Sequence, residues 1–175
     1  MSYDFHLLPP RADGRLREDA EREMDDGAFA ALDPKKEALK QRVADALIAR
    51  DGRLEVLRVG YEANAPSRLR CLELNDASPG SLGIQISLYD DSAFVTAPFW
   101  HEGEAARRCF ADIWEVLGVI CGEAAYAVYD RQLGRALNPG EPIDAALACY
   151  AGTMRKINQR AAPGARGAKP WWKFW

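Results

Sequence analysis

Few side chains in this sequence are placed to do chemistry, and those few are scattered. There are two histidines. His6 sits in an alternating run near the start, and His101 opens the stretch His101-Glu102-Gly103-Glu104. A metal site needs His or Cys side chains spaced to share one face, and neither histidine has such a neighbour along the chain. No metal and no cofactor is therefore expected. Glu102 and Glu104 suit the positive N-terminus of a helix beginning beside them. Asp90-Asp91 could form a pair for acid/base work, but adjacent residues of a strand point to opposite faces and cannot share a proton. They read better as a solvated hairpin turn. Asp130-Arg131-Gln132 follows an apolar run, and the simplest role for Asp130 is to bond local backbone in a turn. No nucleophile elbow, phosphate-binding loop or dinucleotide-binding glycine pattern is present.

These residues need elements to position them, and the strongest such signal runs from Leu82 to Cys121. Residues 83–89 alternate apolar and polar side chains at period two, the pattern of a half-buried strand. Asp90-Asp91-Ser92 supplies turn chemistry, and residues 93–97 start a return strand. Pro98 stops it, having no N–H to donate. The period then changes. Ala106, Cys109, Phe110, Ile113, Leu117, Ile120 and Cys121 recur at three and four residues, one stripe of a helix over residues 104–121. Gly122 is expected to close it. Hairpin and helix can bury their apolar faces against each other and make the core.

Elsewhere, residues 2–8 alternate as a short strand ended by Pro9-Pro10. Leu16, Ala20 and Met24 suggest a charged helix, with Phe29 and Leu32 expected on the core. Asp33-Pro34 is a helix start, Asp33 capping the orphan N–H groups and Pro34 suiting the first helical position. That helix spans residues 34–50 with Leu39, Val43, Ala46 and Leu47 inward. Strands are expected over residues 54–61, 69–75 and 125–129. Asp130 to Arg135 reads as a polar turn, and Pro142 opens a last helix over residues 142–160 with Ile143, Leu147, Tyr150, Met154 and Ile157 in its seam. The fold expected is α+β, a mainly antiparallel sheet of five or six strands packed against three to four helices. It forms one domain over residues 1–160, followed by a linker and tail over residues 161–175.

Composition excludes some function classes. The chain has 175 residues with formal charge −3, a balance that argues against nucleic acid as the partner. The charge is uneven. Residues 145–175 hold six basic residues and no acidic one, which leaves 17 basic against 26 acidic before them, a net of −9. The start of the chain lacks a secretory pattern, and no apolar run reaches the ~20 residues that span a bilayer. Cys71, Cys109, Cys121 and Cys149 form no C-x-x-C pair, and reduced thiols in the cytoplasm are the simplest reading. The tail is the unusual feature. Trp171, Trp172, Phe174 and Trp175 follow a Gly/Pro/Ala linker. They have three candidate destinations: a groove on this protein or a second copy, a membrane interface, or a protein partner.

Met1-Ser2-Tyr3-Asp4-Phe5, residues 83–91, Pro98-Phe99-Trp100-His101 and residues 129–134 resemble stretches of a loose group of small bacterial proteins. Some of these look like immunity proteins of polymorphic toxin systems. The resemblance implies a non-catalytic cytoplasmic protein that neutralises a cognate toxin domain by direct binding. An acidic body could meet a basic toxin face and speed association. The expected contacts are Asp90, Asp91, Glu102 and Glu104, with Trp171, Trp172, Phe174 and Trp175 of the tail. Two readings compete: an enzyme with a dispersed site drawing on His101, Asp130 and Arg131, and a membrane-associated scaffold using the tail.

Overall fold

The computed structural model describes residues 2–10, 16–21, 31–62 and 69–161. In chain order the elements are β1 (Ser2–Leu8), α1 (Leu16–Glu21), α2 (Pro34–Arg50), β2 (Leu54–Val59), β3 (Cys71–Asp76), β4 (Gln85–Leu88), β5 (Ala93–Pro98), α3 (Gly103–Ala124), β6 (Ala127–Asp130), β7 (Arg135–Leu137) and α4 (Asp144–Ala161). The strands form one open sheet in the order β2-β3-β4-β5-β1-β6-β7, every neighbour pair antiparallel. The fold is α+β, as expected.

Alternation decides which face is core. Leu72 and Leu74 of β3, Ile86 and Leu88 of β4, Val95 of β5, Phe5 and Leu7 of β1 and Val128 of β6 all turn to one side and are buried. Helix α3 meets them with Ala106, Cys109, Phe110, Ile113, Leu117 and Ile120, the stripe read from sequence, joined by Trp114 and Val116. Phe110 is central to an aromatic cluster with Tyr3, Phe5, Trp114 and Tyr150. Side chains of this size dominate core energetics, each taking about 150–250 Å² out of water. Helix α2 packs along α3, tied by Arg50 to Asp112 and Glu115 and by Arg42 to Glu123. Helix α1 lies on the other face of the sheet, where the His6 ring meets the Ala20 carbonyl.

Several expectations are corrected. The sheet has seven strands, not five or six, because Arg135–Leu137 folds back on β6 after a four-residue turn. Three residues are too few to show a period. Helix α3 passes Gly122 and ends at Ala124, capped by Ala125, which takes the left-handed conformation with φ 55°. Arg42 reaches across from α2 to bond both the side chain and the carbonyl of Glu123, so the last turn is held by a tertiary contact. Helix α4 starts at Asp144, two residues beyond Pro142, with Leu147 N–H donating to the Ile143 carbonyl. Strand β2 stops at Val59 rather than Tyr61. Leu32 is 53% exposed rather than packed on the core. In α2 the inward face includes Lys40 and Ala44 along with Val43 and Leu47, while Ala46 is only half-buried. Met24 and Phe29 lie outside the described residues.

Candidate functional site

The hairpin turn between β4 and β5 is closed by Tyr89 N–H donating to the Ser92 carbonyl at 2.8 Å. That leaves Asp90 and Asp91 at its tip, and α2 comes to meet them. Lys40 Nζ donates to Asp90 Oδ1 at 2.7 Å and to Tyr61 Oη at 3.1 Å, and faces Glu37 Oε1 at 2.6 Å. Tyr61 Oη donates onward to Glu37 Oε2 at 2.8 Å. The Arg58 guanidinium stacks 5.1 Å over the Tyr61 ring. Burial alone pulls the Lys40 ammonium down, but its bonds to Asp90, Glu37 and Tyr61 outweigh that and hold its pKa above lysine's ordinary value. Lys36 binds Asp91 at the surface, at 2.6 Å. The aspartates read as a solvated acidic turn are thus both paired within the chain, and Asp90 is committed to a buried cation.

Asp130 is fully buried at the end of β6. Tyr3 Oη donates to its Oδ2 at 2.8 Å, and the Gln132 and Leu133 N–H groups donate to its Oδ1 at 2.9 Å. Burial pushes the carboxyl pKa up, against these three hydrogen bonds. This is the local turn role that the sequence suggests. His6 Nδ1–H donates to the Ala20 carbonyl at 3.2 Å and its ring stacks on Phe94 at 4.1 Å, a staple for α1. Of the dispersed-site residues, Asp130 and His101 each hold a loop, while Arg131 is exposed. His101 Nε2–H donates to the Leu82 carbonyl at 2.7 Å, on a different segment from the partners of Asp130. Among the described residues no group of three or more His, Cys, Asp or Glu side chains is arranged to hold a metal ion. A cavity of about 30 Å³ between α2, α3 and the loop before β4 is lined by Arg50, Arg53, Asp76 and Asp112 among others, space on the scale of one water molecule. The thiols are free, and burial pushes the Cys109 thiol up to about 12, so it is an unreactive core residue.

The corner where β5 runs into α3 has a different character. Trp100 sits there with 63% of its surface exposed, one side of its ring resting on the backbone. Its ring lies against Gly83, whose φ is +65° and where a Cβ would stand 2.6 Å from the ring. The left-handed turn at Gly83 is also why β4 starts at Gln85 rather than Gly83. The next residue locks the corner from below: His101 N–H donates to Tyr150 Oη at 3.0 Å, and Tyr150 Oη donates to the Pro98 carbonyl at 2.7 Å. Glu102 and Glu104 follow Trp100 in the chain at the start of α3. Glu102 occupies the helix N-cap position without capping it; its carboxylate instead accepts from Asn158 Nδ2 of α4 at 3.1 Å. Glu104 stands exposed in the first turn, where the helix dipole favours it. Of the expected contact residues, Glu102 and Glu104 therefore lie together, while Asp90 and Asp91 belong to the separate α2 cluster. Trp171, Trp172, Phe174 and Trp175 lie outside the described residues. The sequence names Trp100 only within the resembling stretch Pro98-Phe99-Trp100-His101 and not among the expected contacts; its signal is a tryptophan off the helical stripe, between Pro98 and a helix start.

Comparison of the chain with protein-family models, with curated proteins and with solved structures finds no match. Among the described residues no helix is long and apolar enough to cross a membrane.

Proposed function

We propose that this protein is a non-catalytic binding protein of the immunity type, which neutralises a cognate toxin domain by direct contact. The observation that carries the reading is the Trp100 corner. Tryptophan is enriched at binding hot spots, and a ring already supported on one side has less freedom to lose when a partner covers it. Glu102 and Glu104, two and four residues on at the start of α3, suggest the chemistry that fits. A partner arginine could stack on the indole face and pair with a carboxylate at once. A basic toxin face presents such groups, and the acidic body of this chain, net −9 before residue 145, would draw it in.

The test is co-expression with a candidate toxin encoded beside this protein's gene. The parent chain should restore growth. Trp100→Ala together with Glu102→Gln and Glu104→Gln should lose protection while melting at the parent temperature. Cells that die despite the parent chain, with every neighbouring toxin candidate tried, would sink the proposal.

A further inference from the structure

Strand β2 is the long edge of the sheet, and among the described residues it has a neighbour on one side only. The other edge, β7, has three residues, whereas β2 has six. Glu55, Val56, Leu57 and Arg58 are all exposed, although on the α2 side Arg58 reaches Gln41 and stacks on Tyr61. Val56 and Leu57 are 39% and 59% exposed, and Leu69, 47% exposed, lies beside Gly60 at the end of the same strand pair. Three of the five large apolar side chains that are exposed among the described residues thus gather here.

The hydrogen-bond parity of the sheet shows which backbone groups face outward. The Tyr89–Ser92 bond makes that pair a hydrogen-bonded one, so Ser87 and Gln85 bond towards β5 and Ile86 and Leu88 towards β3. Their partners Leu74 and Leu72 bond back to β4, so Cys71, Glu73 and Asn75 bond towards β2, to Val59, Leu57 and Glu55. The main-chain groups of Leu54, Val56 and Arg58 are left pointing away from the sheet. Leu54 N–H agrees, since it turns to the Asp51 carbonyl at 3.1 Å instead. Among the described residues no strand pairs with this edge.

We propose that a second copy of this chain occupies the edge, with β2 pairing antiparallel to β2 about a twofold axis normal to the sheet. Such an axis must relate residues of like parity, and the register centred on Leu57 meets every condition. Val56 and Arg58 exchange main-chain hydrogen bonds with Arg58 and Val56 of the second copy. Leu57 faces its own copy across a non-hydrogen-bonded pair, where side chains approach most closely. Glu55 lies opposite Val59 and Arg58 opposite Val56, so no charge meets its like. Centring on Val56 would instead set Leu57 against Glu55. Twofold pairing also consumes the edge in a closed dimer and leaves nothing to propagate. This surface is separate from the Trp100 corner, and the inference does not rest on the toxin reading.

Sedimentation of the full chain over a wide concentration range tests it. The mass should double as concentration rises, with slowed hydrogen exchange at the Val56 and Arg58 amides in the dimer. Val56→Pro removes one outward N–H and no bond to β3, and should hold the mass at one chain with the melting temperature of the monomer kept. Leu57→Lys sets like charges face to face and should do the same; if the proline variant fails to fold, this variant decides. A parent chain that stays at single mass throughout overturns the inference. So does a doubled mass that survives in folded Leu57→Lys.

Discussion

Lys40 Nζ lies 2.7 Å from Asp90 Oδ1, joining α2 to the tip of the β4–β5 hairpin across 50 residues of sequence. The lysine side chain is 3% exposed and the aspartate 23%. One helical turn away, Lys36 and Asp91 make the same chemical pair at 2.6 Å, but with side chains 37% and 70% exposed. The two pairs differ in how much water reaches them, and Lys40 is held in addition by Glu37 and Tyr61.

A double-mutant cycle of Lys40→Met and Asp90→Asn should therefore give a coupling energy of about 1–3 kcal/mol, read from denaturant unfolding. The same cycle at Lys36 and Asp91 should stay within about 0.5 kcal/mol, because water and salt screen it. Equal couplings would show that burial does not set the strength of the Lys40 pair.

Phe110 and Ile113 are fully buried on the apolar stripe of α3, in the core that it shares with the sheet. Replacing either by Ala should lower unfolding free energy by about 2–5 kcal/mol, the transfer loss plus the cavity left behind. Cys121, half-buried on the same helix, should tolerate Ala within about 1 kcal/mol. Chemical denaturation of the three variants ranks them, and a Cys121 variant as damaged as Phe110→Ala would contradict this account of the core.

Burial lowers the pKa of His6, against the pull of the Ala20 carbonyl and with a smaller push from Arg131. In the unfolded chain the imidazole protonates near its ordinary value of 6.5. Below that pH the unfolded chain binds more protons than the folded one, so stability is full above it and falls as pH drops through it. Asp130 works the other way. Its raised pKa makes the folded chain bind more protons above the ordinary carboxyl value of 3.8, so this contribution diminishes as pH rises through that window. Urea midpoints from pH 7 down to 5 should fall for the parent and fall less for His6→Phe, which keeps the stack on Phe94 without a titrating ring. Parallel slopes would show that His6 is not the group responsible.

Gly83→Ala should cost about 1–2 kcal/mol from the left-handed backbone alone. It should also displace the Trp100 ring, since the new methyl would stand 2.6 Å from it. The expected readout is a shift in tryptophan fluorescence with a weakened partner complex. An unchanged spectrum would mean that the ring is not seated on Gly83.

The sequence by itself determined the elements that bury a regular face. Period two over residues 83–89 and the three- and four-residue spacing from Ala106 to Ile120 are records of one-sided burial, and burial has the same meaning wherever the element packs. Six of the seven strands and the three long helices are legible on that basis. Asp130 was legible too, because its N–H partners are two and three residues away. Tertiary structure decided whatever depends on distant chain. Lys40 looks like a solvated residue of a charged helix until Asp90 arrives to neutralise it. Glu102 looks like a carboxylate that only complements the helix N-terminus until Asn158 arrives to claim it. Strand β7 carries no period of its own and exists because β6 offers a ladder. Trp100 is exposed because the left-handed turn at Gly83 supports its ring from one side, and β2 is exposed because strand order leaves it at the edge. Periodicity reports that a side chain faces inward; only the assembled sheet says which residue it faces, and which edge is left without a neighbour.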